Sequence, residues 1–502
     1  MKVKSRLFSI SNNLDSVVAA IICFVVIQIF SKHSGIGVSP DSVTYLSAAR
    51  HLGEGNGFLS FDNLPVVDFP IAYPFFLAVI SFCTRLDPLQ FGAVLNGILF
   101  GILCYLCGSI MNGFEKKSIW YKRILLCCLV LSPALQEVYS LLWSETVFLL
   151  LIILFIHSIS KYLRTINLGW LTITALICAI ACLTRYAGVF LIITGLGLIF
   201  FQRDVVLRKR ITHSLIYGFM ASVLFLTNIY RNLAETGLAM GPREKSVETV
   251  WKNMEYFGGV LSDWLLLERK PGLSVFLTIC TLLIFLFAIG YQYFKKHSTY
   301  RFERLVAVTG LVYCVFMIGT SSITRYEQFT NRLLSPMFIP LLWSVSFWIP
   351  GFIAKKTGWM KLVFMTPILL LTSWFLNLQL RADYENYDGI KDAGIPGYRE
   401  DPFQQSALVQ YIKKYKSTLA SDFIVYSNAG DAVYFVTGLP AHQLPRKYFP
   451  DKVKDYYREK NNYLVWFNDA ENAELPDLIT ILANKNMTLV KEFPEGAVYV
   501  TK

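Results

Sequence analysis

The sequence predicts a polytopic α-helical membrane protein of about eleven transmembrane helices, with an α/β domain at its C-terminus. Hydrophobic residues make up 54% of the 502 residues and charged residues only 16%, whereas about a quarter of the residues of soluble proteins are charged. Apolar segments long enough to cross a bilayer recur from residue 14 to residue 379. Residues 381–502 are more polar and alternate helix-like and strand-like patterns.

The predicted transmembrane spans are apolar runs with few charged residues. They cover residues 14–30, 89–111, 124–142, 145–160, 168–183, 186–201, 211–229, 273–294, 305–323, 333–350 and 361–379. A further uncharged run, residues 69–84, contains Pro70 and Pro74. It is short for a span, and whether it crosses the membrane decides on which side every later loop lies.

Clusters of basic residues indicate the orientation. Five clusters lie on the side of the N-terminus if residues 69–84 do not cross: Lys116, Lys117, Lys122 and Arg123; Lys161 and Arg164; Arg203, Arg208, Lys209 and Arg210; Lys295, Lys296, Arg301 and Arg304; Lys355, Lys356 and Lys361. Cytoplasmic loops are enriched in Lys and Arg. We therefore expect a juxtamembrane segment at residues 69–84 and a cytoplasmic N-terminus in the cell (inner or plasma) membrane. Loops 31–88 and 231–272 and the C-terminal region then face outward.

These basic clusters also account for the net charge of +12, so we expect membrane lipid and no nucleic acid as a partner. The expected domains are a transmembrane domain of residues 1–380, whose outer loop 31–88 carries juxtamembrane helices, and an extracytoplasmic α/β domain of residues 381–502. In the second domain residues 401–416 have helical periodicity. Strands are predicted at residues 423–427, 463–467, 488–493 and 497–501, with a turn at Pro494-Glu495-Gly496 before the last.

Acidic residues at the outer membrane face are functional candidates, because charges there are costly. Asp41 follows Ser39 and Pro40 at the start of a helix-like stretch. A serine N-cap, a proline at the first position and an acid in the first turn also describe an ordinary helix start. Glu145, which follows Ser144 at the start of another span, allows the same two interpretations.

Arginines at the same face are candidates for binding a lipid phosphate. Arg185 lies between two short spans, Arg332 follows Asn331, and a third arginine is in Arg325-Tyr326-Glu327. A guanidinium donates paired, charge-assisted hydrogen bonds to phosphate oxygens. The alternative is that these side chains extend to lipid headgroups.

Other kinds of chemistry leave no recognisable pattern. The ten cysteines lie in apolar stretches, and the six histidines are scattered, without the spacing of a metal site. No Ser/His/Asp pattern or Walker-type phosphate loop is recognisable. The sequence indicates no cofactor, although a divalent cation stays an alternative.

Taken in order, these segments resemble the GT-C superfamily of membrane glycosyltransferases, particularly the bacterial relatives of protein O-mannosyltransferases and lipid A aminoarabinose transferases. The motifs are Asp41 with Tyr45 and the Gly53 to Gly57 turn, the run from Phe69 to Leu77 with Tyr73, Ser132-Pro133 with Ser144-Glu145, Thr184 to Gly188, Asn331 to Pro336, and Tyr426 to Gly438 in the tail. The sequence departs from the family at Tyr186 and Ala187, where proline and glutamate are frequent. Its first loop also has a single aspartate where the mannosyltransferases have an Asp-Glu pair.

The resemblance implies an inverting transfer of a sugar from a polyprenyl-phosphate carrier to a glycan, lipid or protein acceptor at the outer face of the membrane. Asp41 would be the general base that deprotonates the acceptor hydroxyl. Glu145 would be a second acid that positions the acceptor or Asp41, or that helps to bind a divalent cation. The substrate-binding residues would be Arg185, Arg332, Tyr45 and Tyr73, with the arginines stabilising the departing phosphate.

Two other functions remain open at this stage. A transporter or flippase for a lipid-linked sugar would also have many spans and arginines near a cavity, but it often has repeated halves. The sequence contains no recognisable repeat, and its acids lie at one membrane face, which favours the enzyme. An inactive GT-C relative that scaffolds envelope assembly is the third alternative.

Overall fold

The computed structural model describes residues 13–114, 118–202, 204–294, 301–325, 328–419, 423–470 and 472–501. These residues form two compact units. The first unit contains the described parts of Met1–Phe30, Val67–Tyr73 and Ala93–Gly389, and the second those of Ser31–Val66, Pro74–Gly92 and Ile390–Lys502. The predicted domain boundary at 380/381 falls inside an uninterrupted helix, Gly358–Ile390.

Helices occur at every predicted apolar run up to residue 390, and a further helix, Val250–Trp264, lies in the predicted loop 231–272. In chain order they are α1 (Leu14–Phe30), α2 (Pro40–Gly53), α3 (Ala72–Thr84), α4 (Pro88–Met111), α5 (Ile119–Val130), α6 (Pro133–Ser140), α7 (Glu145–Thr165), α8 (Leu168–Thr184), α9 (Val189–Phe200), α10 (Leu207–Thr236), α11 (Val250–Trp264), α12 (Pro271–Phe294), α13 (Phe302–Ile323), α14 (Asn331–Ser346), α15 (Ile349–Ile353) and α16 (Gly358–Ile390). A 3-10 turn, Tyr186–Gly188, precedes α9.

Many of these helices have the length and composition of membrane spans. In the described residues seven helical segments are long and apolar enough to cross a membrane, and the bent pair of α5 and α6 would make eight. The shorter apolar helices α1, α8 and α9 coincide with the three remaining predicted spans. The protein is therefore a multi-pass membrane protein, while the total of about eleven crossing helices stays a prediction.

The predicted span 124–142 is divided between two helices, and whether the pair crosses the membrane stays a prediction. Helix α5 ends at Val130, α6 begins at Pro133, and the two axes are bent by 50°. Proline at the first position of α6 cannot donate a backbone hydrogen bond, so it starts a new helix instead of continuing the old one. The Ser132 hydroxyl caps this new helix by accepting from the backbone N–H of Leu135.

Helix α7 is the most enclosed of the long helices in the first unit. In its apolar window 78% of the residues are buried, against 0% in α16. A helix that is apolar on all sides buries all of its faces, and α7 accordingly packs against α8, α13 and α14. Glu145, its first residue, consequently starts this helix in a buried position.

The second unit combines residues 31–66 and 74–92 with the C-terminal region. Its later helices and strands are α17 (Asp401–Gln405), α18 (Ala407–Lys414), α19 (Lys416–Leu419), β1 (Ile424–Ser427), α20 (Gly430–Thr437), β2 (His442–Gln443), α21 (Pro450–Arg458), β3 (Asn462–Phe467), α22 (Leu478–Asn484), β4 (Met487–Phe493) and β5 (Gly496–Thr501). The strand order is β2-β1-β3-β5-β4. Strand β1 pairs in parallel with β2 and β3, whereas β5 pairs antiparallel with β3 and β4.

The predicted α/β character of the tail is confirmed in its strands. The four predicted strands correspond to β1, β3, β4 and β5. The predicted helix 401–416 is instead divided into α17, α18 and α19. The division after Gln405 occurs because Ser406 is the N-cap of α18 and accepts from the backbone N–H of Val409.

The segment between α1 and α4 contains the predicted helix start. Helix α2 begins at Pro40, and the Ser42 hydroxyl accepts from the backbone N–H of Ser39 at 3.1 Å, which completes a capping box. The run 69–84 forms α3, whose 13 residues are fewer than the roughly 20 that a span needs. Several residues of the basic clusters lie outside the described residues: Lys116, Lys117, Arg203, Lys295 and Lys296.

Candidate active site

Three of the predicted site residues meet in an ion cluster within the first unit. Glu145 is the first residue of α7, Arg185 directly follows α8, and Arg332 is the second residue of α14. The Glu145 Oε1 atom forms an ion pair with Arg185 Nη1 at 2.5 Å and accepts a hydrogen bond from Arg332 Nε. The ends of three helices therefore bring one carboxylate between two guanidinium groups.

The environment of Glu145 accounts for its burial. Its side chain is 1% exposed, and a buried carboxylate is tolerated only when charged or polar partners compensate for the lost water. Besides the two arginines, the Ser144 hydroxyl donates to Oε2 at 3.3 Å. Both carboxylate oxygens are thus occupied by protein groups, and Glu145 acts as the common partner of the two arginines.

Arg185 retains unused donors. Its Nη1 atom also donates to the Ser144 hydroxyl at 3.0 Å, and its side chain is 18% exposed. An arginine has five N–H donors in a planar fork. Within the described residues, its Nη2 and Nε atoms donate no hydrogen bond. This edge of the fork can therefore bind an anionic ligand.

Arg332 is held by stacking as well as by its ion pair. Its guanidinium carbon lies 4.5 Å from the ring centroid of Trp143, within the range of a cation–π contact. The preceding residue, Asn331, donates to Glu137 Oε2 at 2.8 Å and accepts from Trp264 Nε1 at 2.8 Å. These contacts fix the first turn of α14 and with it the direction of the Arg332 side chain.

The turn that carries Arg185 depends on a close backbone approach at Gly188. A Cβ atom at this position would lie 2.6 Å from the backbone of Ala181, so a larger residue would push the turn away from α8. The Tyr186 hydroxyl donates to the carbonyl of Val67 at 2.8 Å and accepts from Asn232 Nδ2 at 3.0 Å. The departure from the family pattern at Tyr186 therefore has a structural role, which is to tie this turn to two other segments.

Glu137 belongs to this region, but the sequence pattern did not identify it as a candidate site residue. It is half-buried, and it interacts electrostatically with Arg332 in addition to its hydrogen bond from Asn331. With Glu137, Glu145, Arg185 and Arg332 all ionised, the charges of this group sum to zero. The group would therefore bind an anionic ligand through oriented N–H donors and not through an excess of positive charge.

A second cluster of acidic groups lies in the second unit. Asp41 is in the first turn of α2, and Asp431 is in the first turn of α20, a helix that packs against α2. The Tyr398 hydroxyl donates to Asp431 Oδ2 at 2.6 Å. Burial raises the pKa of Asp431, and the nearby Asp41 carboxylate raises it further, while the bond from Tyr398 lowers it. Sequence reasoning assigned no role to Asp431, although it lies in the tail motif.

The rest of α2 is anchored in the same unit. Tyr45 is 1% exposed, one turn beyond Asp41. Arg50 donates to Asp87 Oδ2 at 2.8 Å. Burial opposes the charge of Arg50, but its bonds to Asp87 and Tyr434 prevail and raise its pKa. Asp41 consequently lies on a helix whose opposite end is fixed by an ion pair.

Comparison with solved structures identifies the fold. The structure of ArnT from Cupriavidus metallidurans bound to undecaprenyl phosphate matches with a TM-score of 0.55 at 11% identity, over 97% of each chain. This chain has the GT-C fold. The oligosaccharyltransferase AglB from Archaeoglobus fulgidus, in complex with an inhibitory peptide and a dolichol-phosphate, matches with a TM-score of 0.57 at 10% identity, over 98% of this chain and 75% of that chain. No protein-family model matches the sequence, and no curated protein does.

Within this GT-C fold the predicted site residues separate into two groups. Glu145, Arg185 and Arg332 form one cluster in the first unit, and the buried Tyr73 belongs to the same unit. Asp41 and Tyr45 belong to the second unit, with Asp431 and Tyr398. Arg325 pairs with Glu244 at 2.8 Å, and the predicted neighbours Tyr326 and Glu327 lie outside the described residues.

The described residues contain no group of three or more His, Cys, Asp or Glu side chains arranged to hold a metal ion.

Proposed function

We propose that this protein is an inverting glycosyltransferase that moves a sugar from a polyprenyl-phosphate donor to an acceptor hydroxyl at the outer face of the membrane. The observation that carries the proposal is the ion cluster of Glu145, Arg185 and Arg332, which presents oriented guanidinium donors at the ends of three helices. The GT-C fold supports the same reaction class. Oriented guanidinium donors fit the chemistry of a lipid-phosphate leaving group.

The donor side of the reaction is assigned to the two arginines. As the bond between the anomeric carbon and the phosphate oxygen breaks, its electron pair stays on the phosphate, which gains negative charge. Arg185 donates through its Nη2 and Nε edge, and Arg332 is held in position by Trp143. Hydrogen-bond donors that are oriented before the reaction stabilise such charge without reorganisation. The undecaprenyl phosphate bound to ArnT and the dolichol-phosphate bound to AglB support a polyprenyl-phosphate carrier.

Glu145 is assigned a positioning role in the same cluster. Both of its oxygens already accept from protein groups, which makes direct contact with an acceptor unfavourable. Its negative charge keeps two guanidinium groups close together that would otherwise repel each other. The sequence predicted Glu145 to be a second, positioning acid. Here the groups that it positions are Arg185 and Arg332.

The acceptor side is assigned to Asp41. Its carboxylate takes the proton from the acceptor hydroxyl as the oxygen attacks the anomeric carbon, and a single displacement inverts that carbon. The outward location of this chemistry is supported by the distribution of basic clusters along the sequence. The acceptor is a glycan, a lipid or a protein of the cell envelope.

The test begins with the identity of the sugar. Mass spectrometry of envelope glycans from cells with and without the protein identifies the sugar that is missing. Purified protein is then assayed in detergent with that sugar on a synthetic polyprenyl phosphate and with the glycan that lacks it. A transferase forms a new glycosidic bond, whereas a flippase moves the lipid without forming one.

The matched variants are Asp41→Asn and Asp87→Asn, which replace aspartates associated with opposite ends of α2. We expect Asp41→Asn to be folded but to reduce transfer at least about a hundredfold, the usual scale for a general base. Asp87→Asn removes the negative charge that pairs with Arg50 but keeps a side-chain oxygen that can accept from the Leu89 backbone N–H, so it should retain transfer within a few-fold. Near-normal transfer by Asp41→Asn would remove Asp41 from the proposed role.

A further inference from the structure

The end of α7 that lies opposite Glu145 carries a second group of charged residues. The helix has 21 residues, so its two ends are about 30 Å apart. Lys161 and Arg164 lie in its last two turns. Helix α13, which packs against α7, has Arg301 and Arg304 at its start. Each of the two helices therefore has two basic residues near one end.

One buried aromatic ring brings these two helix ends together. Phe302, the first residue of α13, is 1% exposed. The Arg164 guanidinium carbon lies 5.2 Å from the centroid of the Phe302 ring, within the range of a cation–π contact. The His157 ring stacks on the same ring at a centroid distance of 6.1 Å. Arg301 and Arg304 lie within two residues of Phe302, so they join the basic residues of α7.

The four basic residues form a group with a positive surface, which we name the α7–α13 basic cluster: Lys161, Arg164, Arg301 and Arg304. Residues 157–165 and 301–305 contain these four positive charges and one acid, Glu303, which leaves three positive charges in excess. Glu303 is 6% exposed, whereas Arg164 is exposed and the other three basic residues are partly exposed. The acid is thus enclosed, and the accessible charge of the cluster is positive.

An exposed apolar stripe begins beside this cluster. Helix α8 packs against α7, and the ring of Trp170 in its first turn lies 6.4 Å from the His157 ring, edge to face. Ile173, Leu176 and Ile180 are 43%, 46% and 44% exposed. Their spacing places them on one face of α8. An apolar surface therefore runs along α8 from the level of the basic cluster.

We infer that the α7–α13 basic cluster and the α8 stripe bind a phospholipid with an anionic head group. Guanidinium and ammonium groups donate charge-assisted hydrogen bonds to phosphate oxygens, and basic pockets between transmembrane helices bind the head groups of anionic lipids. The acyl chains lie along Ile173, Leu176 and Ile180. Because the cluster is about 30 Å from Glu145, roughly the thickness of the hydrocarbon core, this site is separate from the one proposed for the sugar donor. It does not depend on the proposed function.

The alternatives are a purely topological role and a site for a soluble anion. Basic residues near the ends of spans orient a chain in the membrane, but orientation requires only their number on one side. It does not require residues of two distant segments to meet around one buried ring. A soluble anion would use the basic residues but not the apolar stripe on α8.

The test compares two phospholipids that differ in head-group charge. The full-length protein is purified in detergent, freed of native lipid, and titrated with dioleoyl phosphatidylglycerol or dioleoyl phosphatidylcholine, and binding is followed by native mass spectrometry. The wild-type protein should bind phosphatidylglycerol at least about tenfold more tightly, because several basic residues face its negative head group. Inorganic phosphate at millimolar concentration should not displace it, because the acyl chains contribute to binding.

The decisive variant combines Lys161→Gln with Arg301→Gln, which removes one positive charge from each helix and leaves Arg164 in place. Its affinity for phosphatidylglycerol should fall at least about tenfold, with little change for phosphatidylcholine. Lys161→Arg combined with Arg301→Lys keeps both charges and should bind like the wild type. The matched control, Lys355→Gln with Lys356→Gln, removes two charges from another basic cluster on the same predicted side of the membrane and should keep the wild-type affinity.

Unchanged phosphatidylcholine binding and a monodisperse elution peak show that each variant is folded. Equal binding of the two phospholipids by the wild type would contradict the inference, and so would wild-type affinity in Lys161→Gln with Arg301→Gln. An equal loss in the lysine control would indicate a general charge effect instead of a site. Displacement by inorganic phosphate would indicate a soluble-anion site. In each of these cases the proposed transferase function would stand.

Discussion

The Glu145 cluster of the first unit and the Asp41 cluster of the second unit start from the same local pattern. Glu145, Asp41 and Asp431 each lie in the first turn of a helix, where an acid is favoured by the helix dipole and needs no further function. Their partners differ. Glu145 is held by two guanidinium groups, whereas Asp41 has a second carboxylate near it and Asp431 binds a tyrosine hydroxyl.

This difference in partners determines what each acid can do. Two positive neighbours keep Glu145 ionised and occupy its oxygens, so it serves as a fixed anion that orients arginines. Asp431, in contrast, is buried and accepts from the neutral hydroxyl of Tyr398. The chemical role of a first-turn acid therefore follows from the charge that the tertiary structure brings to it.

The largest effect on stability is expected when the first cluster loses its carboxylate. Glu145→Gln leaves two guanidinium groups close together without the charge that compensates them, and removing one partner of a buried ion pair costs about 3–5 kcal/mol. The apparent melting temperature in detergent should fall by several degrees. The measurement is thermal loss of the monodisperse peak in size-exclusion chromatography.

The control for this variant is Glu235→Gln. Glu235 is 42% exposed and lies 3.7 Å from Arg231, and an exposed pair of this kind contributes less than about 1 kcal/mol. If both variants melt alike, the Glu145 cluster is not the stabilising centre that its burial indicates. The contrast between the two clusters would then lose its energetic basis.

A smaller effect is expected at Arg185, and it should appear in the kinetics. Arg185→Lys keeps the positive charge near Glu145 but loses the planar fork, and with it the donors proposed for the donor phosphate. Charge-assisted hydrogen bonds of this kind contribute about 1.5–3 kcal/mol, so kcat/KM for the lipid-linked donor should fall about tenfold to a hundredfold.

Steady-state kinetics with varied donor and fixed acceptor measure this effect. Unchanged kcat/KM would exclude Arg185 from donor binding.

The smallest effect is expected at Gly397, which lies close to the Val38 backbone just before α2. Gly397→Ala introduces a Cβ atom at φ +128°, where it would meet the Val38 carbonyl. We expect a loss of about 1–2 kcal/mol in stability and a modest decrease in transfer, because the turn before Asp41 shifts. Gly53→Ala, at a position with open space around the new Cβ, is the control.

Melting temperature and transfer rate are measured together for these two glycine variants. Equal behaviour of Gly397→Ala and Gly53→Ala would mean that the close approach to Val38 is not required. A loss of transfer without a loss of stability in Gly397→Ala would sharpen the comparison, because it would tie the position of α2 to the chemistry.

Much of the helical fold could be predicted because its signal is local. An apolar run with few charges predicts a membrane helix from composition alone, and helices occur at the predicted spans, including α7 at residues 145–165. Ser132-Pro133 was identified as a motif, but the break between α5 and α6 at this position was not predicted. The division of 401–416 into three helices was missed because Ser406 also fits inside a helical pattern.

Candidate residues with a local signature could also be found. Asp41, Glu145, Arg185 and Arg332 were selected because charges at the ends of apolar runs are costly. Glu137 lies within an apolar run, and Tyr398 has no local signal at all. Asp431 lies in a recognisable motif, but its hydrogen-bond partner Tyr398 lies in a separate segment.

By itself, the sequence determined the apolar runs that become helices, the α/β character of the tail and the charged residues at the helix ends. These properties depend on side chains within a few turns of each other. Only the tertiary structure decided that Glu145 joins Arg185 to Arg332, that Tyr398 binds Asp431, and that the helix of Asp431 packs against the helix of Asp41. Electrostatic interactions act through space, so the partner that gives each acid its role cannot be read from the order of residues alone.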